Sequence, residues 1–384
     1  MLKNLLDLDS EDMQGYFASL GEKPYRAKQL MRWIHRERET DFSLMTNLSA
    51  GLRKDLKDGV FFDLPKVRHE EVAIDGTRKW LLSVDGANSI EMVFIPDRNR
   101  GTLCISSQAG CALDCLFCST GKQGFNRNLT TAEIVGQLWM ASLLLDSKTG
   151  LSRTNNEPNT GRAITNIVMM GMGEPLANYK NVLKSLRIMF DDNSYGYSRR
   201  KVTVSTAGLV PAIKRLMEDC PVALAVSLHA PDNELRDKLV PINKKYPIAT
   251  LLDACGRYIE KIGRVEKGRS HLQKLSVSPR DYITFEYVML RQVNDSITQA
   301  KKLADLLSGF PCKINLIPFN PFQGSGLESS PEASVRSFQD VLKSRGFICT
   351  VRKVRGQEID GACGQLAGQI NDKTDRKRMK LVVN

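Results

Sequence analysis

Cys111-Ala-Leu-Asp-Cys115-Leu-Phe-Cys118 follows an apolar, strand-like run at 102–106 and spaces three thiols by three and then two residues. That spacing lets one short loop wrap three thiolates around a soft metal centre, either iron–sulfur or zinc. A structural zinc site takes four ligands, usually as two separated pairs, and no fourth ligand stands nearby at matching spacing. Three protein ligands leave one coordination position open, which suits a substrate. Zinc and unligated core cysteines are the competing readings of the run by itself.

Working outward, short apolar runs alternate with longer amphipathic stretches. Strands are predicted over 102–106, 164–170, 201–206, 222–228, 283–290, 313–318 and 347–351, with helices between most of them, such as 131–145, 179–190 and 296–307. Continuously apolar strands alternating with helices argue for a parallel sheet covered by helices, with ligands at the carboxyl ends of the strands. The repeats fall roughly two short of an eight-fold barrel, so an open or partial α/β barrel is expected. Residues 1–90 read as a small helical and mixed module. Within it Leu30, Met31, Trp33 and Ile34 recur at a helical rhythm, and a hairpin is predicted around Asp85-Gly86. Residues 146–163 and 263–280 are polar and aperiodic, as insertions are. The expected division is an accessory module at 1–90, the barrel at 91–355, and a C-terminal segment at 356–384.

Composition narrows the class. The chain has 384 residues, 42% hydrophobic and 26% charged, which is ordinary globular usage. No stretch approaches the ~20 apolar residues of a membrane helix. The N-terminus turns acidic before a signal core forms, so a reducing cytoplasm is expected, where the nine cysteines mean thiol or metal chemistry more often than disulfides. The net charge of +12 favours a polyanionic partner. Residues 1–90 are close to neutral, so the excess lies beyond them; residues 257–280 alone hold seven basic against two acidic groups.

Gly171-Met-Gly173-Glu174-Pro175 closes the run at 164–170. Glycines at a strand end admit close backbone approach to a ligand, and a carboxylate there accepts hydrogen bonds from an ammonium. A dinucleotide-binding finger is excluded by Leu176, which stands where the third glycine belongs. Ser205, the triplet Ser227-Leu228-His229, and Asn320 mark other strand ends. No nucleophile elbow surrounds Ser227 or His229, so hydrolase chemistry is not indicated. Cys363 lies among small residues in Asp360-Gly-Ala-Cys363-Gly-Gln-Leu366, a setting for a thiol that moves or reacts; Cys104 reads as a strand cysteine.

The Cys-x3-Cys-x2-Cys run with Phe117 before its last cysteine resembles the radical S-adenosylmethionine (SAM) superfamily. Glu91 in Ile90-Glu-Met-Val-Phe-Ile-Pro96, Cys104, Gly124-Phe-Asn-Arg-Asn-Leu129, Met169-Met-Gly-Met-Gly-Glu-Pro-Leu176, Ser227-Leu-His-Ala-Pro231 and Ala362-Cys-Gly-Gln-Leu366 together resemble the RlmN family within it. The resemblance implies a partial (β/α)6 barrel with a small N-terminal domain, and a [4Fe-4S] cluster on Cys111, Cys115 and Cys118 whose fourth iron chelates SAM. SAM contacts are implied at Gly173, Glu174, Ser205, Ser227, Leu228, His229 and Asn320. It further implies methylation at C2 of adenine 2503 in 23S rRNA and of adenine 37 in tRNA (RNA numbering), two SAM per turnover. In that scheme Cys363 carries the methyl group, Cys104 resolves the product through a disulfide, and Glu91 takes the C2 proton unless Cys104 does. A flavodoxin- or ferredoxin-type electron donor and a cytoplasmic monomer are likewise implied. The rivals are methylation at C8 of the same rRNA adenine, as in Cfr-type enzymes, and a non-catalytic, metal-stabilised RNA-binding protein.

Overall fold

The computed structural model describes residues 2–149, 162–264, 283–322, 324–353, 355–361, 364–366 and 368. Both polar insertions lie almost wholly outside these residues, as does Cys363. The chain opens with a two-residue strand β1 (Lys3–Asn4), then α1 (Ser10–Ser19), α2 (Pro24–Met31), α3 (Ala50–Gly59) and β2 (Val60–Phe61), which pairs with β1. Each helix start follows from its capping chemistry. Asp9 accepts from the backbone of Glu11 and Asp12 ahead of α1, Pro24 opens α2, and Ser49 accepts from Leu52 N at α3. The rhythm read at 26–35 runs through α2 into a π-helical turn at Arg32–Glu37, which ends where Arg38 turns left-handed at φ 55°.

The main sheet follows. In chain order its strands are β3 (Lys66–Val72), β4 (Arg78–Ser83), β5 (Ser89–Asp97) and β6 (Arg100–Cys104); then, after a small ribbon of β7 (Gln108–Gly110) and β8 (Phe125–Asn128), β9 (Asn166–Met169), β10 (Val202–Thr206), β11 (Ala223–Ser227), β12 (Ile283–Met289), β13 (Cys312–Pro318) and β14 (Ile348–Val351). The spatial order is β14-β13-β12-β11-β10-β9-β6-β5-β4-β3. From β6 through β14 every pairing is parallel, and β3, β4 and β5 extend the sheet as an antiparallel meander. All seven predicted strands are present, giving the mixed α/β fold with a parallel-dominated sheet that the alternation implied. The hairpin at Asp85-Gly86 joins β4 to β5.

Helices cover the outer side: α4 (Ser119–Gln123) in the cysteine loop, then α5 (Thr131–Thr149), α6 (Tyr179–Phe190), α7 (Val210–Asp219), α8 (Asn233–Leu239), α9 (Ile248–Arg264), α10 (Ile297–Leu306) and α11 (Glu332–Ser344). Among the described residues no helix is long and apolar enough to cross a membrane. Burial alternates along β10, as the pleat requires: Val202 and Val204 are fully buried under the helices, whereas Thr203 and Ser205 face the other way and are only half-buried.

The N-terminal helices share a second apolar core with α5, in which Leu30, Met31 and Ile34 meet Trp139 and Ala132. Polar latches fix the seam. Trp139 Nε1 donates to Ile34 O at 2.9 Å, and Ala132 N donates to Asp7 Oδ1 at 2.7 Å, capping the start of α5 from the other unit. A Trp139→Ala substitution removes both the ring and its hydrogen bond, so it should destabilise the protein by about 3–5 kcal/mol in urea unfolding. A loss below about 1 kcal/mol would show that this seam is not packed as described.

Candidate active site

A cavity opens at the carboxyl ends of the parallel strands. Cys111, Cys115 and Cys118 line one wall, Gly171, Gly173 and Glu174 the next, and Ser205, Ser227 and His229 continue around it; Glu286, Phe319, Arg352 and Gly364 complete the far side. The structure thus brings together most of the residues singled out in sequence. Leu228 and Asn320 are buried beside the strand ends but do not line the cavity, and neither do Glu91 and Cys104.

The cysteine loop is held from three directions. Cys111 N donates to Gly124 O at 2.7 Å, and Leu116 N donates to Leu239 O at 3.0 Å, tying the loop to α8. Leu113, Cys115, Leu116 and Phe117 join an apolar cluster with Leu239, Val240 and Phe319. The third direction is the C-terminal segment. Ser119 N donates to Gly364 O at 2.7 Å, Thr120 Oγ1 to Leu366 O at 2.6 Å, and Gln123 Nε2 to Gly368 O at 2.9 Å. Residue 364 is therefore fixed on the helix that follows the third cysteine.

The donor set fits the cluster that the family resemblance implies. Burial pushes the Cys115 thiol well above its ordinary pKa, and neighbouring Cys118, Cys111 and Glu174 push it further, with only Arg236 opposing. Three thiols that disfavour each other's ionisation ask for a cationic centre among them. Among the described residues no group of three His, Cys, Asp or Glu converges on one point as a lone ion requires. A polynuclear cluster has no such requirement, because each cysteine binds a different metal atom.

Gly171 and Gly173 explain why that wall is glycine. A Cβ on Gly171 would sit 2.7 Å from the Ile105 carbonyl, and one on Gly173, at φ +94°, would sit 2.4 Å from Gln108 Cβ. Gln108 uses this closeness: its Oε1 accepts from Glu174 N at 2.8 Å. Glu174 is buried, and its two oxygens accept from Ala207 N at 2.8 Å and Leu176 N at 3.1 Å. Desolvation raises its pKa to about 7 against the opposing pull of these hydrogen bonds.

His229 adopts φ +61° and places its ring 4.4 Å from that of Phe117, edge to face. Its Nδ1 accepts from Val288 N at 3.0 Å, so the neutral ring carries its proton on Nε2, a buried atom with no protein partner. Burial, reinforced by Arg236, drops its pKa to about 3. A neutral N–H donor left unmatched on the wall of a cavity is a ligand contact in waiting.

Two positions escape a reading of the sequence. Arg236 is fully buried in α8 and donates to Ala207 O, Ser227 O and Leu228 O at 2.8, 2.8 and 3.1 Å, and to Asn243 Oδ1 at 2.7 Å. It gathers the carbonyls beyond β10 and β11, yet in Asn233-Glu-Leu-Arg236-Asp-Lys-Leu it reads as one charge of a solvated helix face. Lys79 is the other. It bridges Glu71 at 2.7 Å and Glu91 at 3.5 Å, and Glu91 is 8% exposed. Across β5 and β6, Val93 pairs with Cys104, so Glu91, two residues along, shares a face with that thiol. The basic run Arg199–Lys201 precedes β10 and so lies at the end of the strands opposite the cavity, where Arg199 stacks on Phe190.

Because Glu174 has a folded pKa above its unfolded value, the folded state binds the extra proton between roughly pH 4.5 and 7, and stability falls as pH rises through that window. In the absence of SAM, Glu174→Gln should flatten this fall, which is of order 3 kcal/mol at most, in urea titrations at pH 5 and pH 7.5. An identical slope in both proteins would contradict the assignment.

Comparison with known proteins agrees with this geometry. Residues 3–61 match the family model for the ribosomal RNA large subunit methyltransferase N-terminal domain. A radical SAM methyltransferase from Sphaerobacter thermophilus superposes with a TM-score of 0.82 at 40% identity, covering 95% of this chain and 99% of that one. A domain of a pyruvate-formate lyase-activating enzyme from Bacteroides vulgatus matches at 16% identity and a TM-score of 0.34, over 49% of this chain and 99% of its own, too distant to carry an argument. Joined to the three-cysteine wall and the glycine-rich strand end, the match over nearly the whole chain establishes that this protein belongs to the radical SAM methyltransferases, as an RlmN-like member.

Proposed function

We propose that the protein methylates C2 of adenine in RNA, at adenine 2503 of 23S rRNA and adenine 37 of tRNA, with Cys363 as the methyl carrier. The observation that carries this reading is the C-terminal segment held on the cysteine loop: Gly364, one residue from Cys363, accepts from Ser119 N and lines the cavity. The membership of the family implies a [4Fe-4S] cluster and SAM, which Cys111, Cys115 and Cys118, with Gly173, Glu174, Ser205, Ser227 and His229 around them, would hold. When bound, that pair supplies reductive cleavage of SAM to a hydrogen-abstracting radical.

C2 of adenine lies between two ring nitrogens and is electron-poor, so it does not attack the methyl of SAM directly. In this reading a Cys363 thiolate, a good nucleophile, first accepts a methyl group as a thioether. After loss of one hydrogen atom its carbon would bond to C2, the radical adduct would give one electron back to the cluster's redox couple, and the RNA would be tethered to the protein; on release the tethering carbon takes a proton to become the methyl group. Release needs a base for the C2 proton and a thiol for the sulfur. We assign the base to Glu91, which contacts Lys79, and the thiol that closes a disulfide with Cys363 to Cys104, on the same face of the sheet. Cellular reductants, with a flavodoxin- or ferredoxin-type donor for the cluster, reset the enzyme.

The RNA is held by the basic excess. Lys244, Lys245, Arg352, Lys353 and Arg355 follow strands or helices at the cavity end, and we assign them to phosphates around a base flipped into the cavity. The N-terminal module at 1–90 is proposed as a further RNA contact.

Anaerobically reconstituted enzyme should place a methyl group on C2 of both RNAs, read by mass and position of the modified nucleoside. A methyl at C8 would contradict the reading, and zinc in place of iron with no SAM cleavage would favour a non-catalytic binder. Cys363→Ala should retain iron and lose methyl transfer; methylation by this variant would overturn the tethered route. RNA affinity should fall steeply between low and moderate salt, by orders of magnitude if several phosphates are neutralised.

A further inference from the structure

The mechanism above leaves one buried carboxylate of the cavity unused. Glu286, in the middle of β12, is 6% exposed and forms part of the cavity wall. Pairing across the sheet sets Ser227, Glu286, Asn315 and Thr350 directly opposite one another on β11 to β14, hence on one face. A directed chain links three of them. Thr350 Oγ1 donates to Asn315 Oδ1 at 3.0 Å, and Asn315 Nδ2 donates to Glu286 Oε2 at 2.8 Å.

The direction of the chain matters. With its oxygen taken by Thr350, the Asn315 amide must present its nitrogen to Glu286, so the relay ends on an acceptor. A carboxylate has room for about four hydrogen bonds. Burial raises the Glu286 pKa, while Arg352, on the same cavity wall, and the Asn315 amide both favour its ionised form. A carboxylate oriented by a dedicated relay inside a ligand cavity, rather than replaced by an apolar residue like its strand neighbours, is suited to receive a donor from a guest.

We propose that Glu286 is the hydrogen-bond acceptor that selects a nucleoside in this cavity, taking a hydroxyl or amino donor from either the adenosine of SAM or the target adenine. The inference rests on the proposed function, since that function puts both nucleosides here. It assigns to Asn315 and Thr350 a positioning role.

Glu286→Gln is the test, because the relay makes its consequence definite. Asn315 still offers a donor, so the substituted side chain must turn its amide oxygen to Asn315 and its amide nitrogen to the guest, replacing acceptor by donor. Cluster-loaded enzyme is assayed for SAM affinity by equilibrium dialysis. It is also assayed for methylation of RNA carrying adenine or purine, which lacks the amino group, at the target position. If SAM is the source, the variant binds SAM at least about 10-fold more weakly. If the target amine is the source, SAM affinity is unchanged and methylation of the adenine RNA falls about 10-fold or more, while the purine RNA shows no further loss.

SAM affinity and methylation both within about twofold of wild type would overturn the proposal. So would equal losses on adenine and purine RNA at unchanged SAM affinity, which indicate a structural role. Should Glu286→Gln fail to fold or to hold iron, Thr350→Val on the exposed edge strand removes the donor that anchors the Asn315 amide and so loosens the orientation of Glu286. It should then give a several-fold loss in the same assay, and no loss there would overturn the proposal. Wild-type enzyme that methylates neither RNA would refute the proposed function, and the SAM-binding comparison would still report on Glu286.

Discussion

Strand register is the constraint on which the site depends. Residues directly opposite one another across paired strands point to the same side of a sheet, and a slip of one residue reverses every side chain in the strand. From Lys79 on β4 through Glu91, Cys104, Ser205, Ser227 and Glu286 to Asn315 and Thr350, these polar residues fall on one face of one continuous sheet, and core residues such as Val202 and Val204 lie on the other. Had β5 or β12 slipped by one residue, Glu91 or Glu286 would sit in the hydrocarbon layer, at a penalty of several kcal/mol. The apolar core therefore does more than stabilise: it fixes which residues meet in the cavity.

On that face the charges are arranged to wait for ligands. Three thiols, Glu174 and Glu286 line a poorly solvated pocket, where burial disfavours the ionised forms of Cys115, Glu174 and Glu286 and like neighbours add to the effect at Cys115. The buried Arg236 opposes the like charges at Cys115, as Arg352 opposes the burial of Glu286. Arg236 holds the carbonyls beyond β10 and β11 in place from within α8, whose C-terminal carbonyl at Leu239 also receives the cysteine loop. The loop in turn carries the C-terminal segment. Sheet, helix, loop and tail are thus linked by hydrogen bonds in series, which holds Gly364 against a cavity whose cysteine loop lies far earlier in the chain, as the bond from Thr120 to Leu366 records.

Much of this is legible in the sequence, for identifiable reasons. Parallel strands buried on one side by helices announce themselves as apolar runs, so all seven can be read; the cysteine spacing and the glycines of 171–175 are local features whose chemistry survives any fold. What stays hidden depends on tertiary burial. Arg236 and Lys79 look like surface charges because nothing within a few residues of either encodes that they are buried. Glu286 passes unnoticed inside Ile283-Thr-Phe-Glu-Tyr-Val-Met289, where periodicity records a strand and not which neighbour will orient a carboxylate. Basic runs are visible along the chain, but the side of the barrel reached by Arg199–Lys201 follows from strand direction, which places them away from the cavity.

The central claim is that Cys363, next in sequence to the Gly364 held on the cysteine loop, carries the methyl group to RNA. Peptide mapping by mass spectrometry of enzyme turned over with methyl-deuterated SAM, in the absence of RNA, tests it most directly. The account predicts the label as a thioether on Cys363, absent when Cys363 is replaced by alanine. Label on Cys104 or on any other residue, or active enzyme whose Cys363 is never labelled, would contradict it.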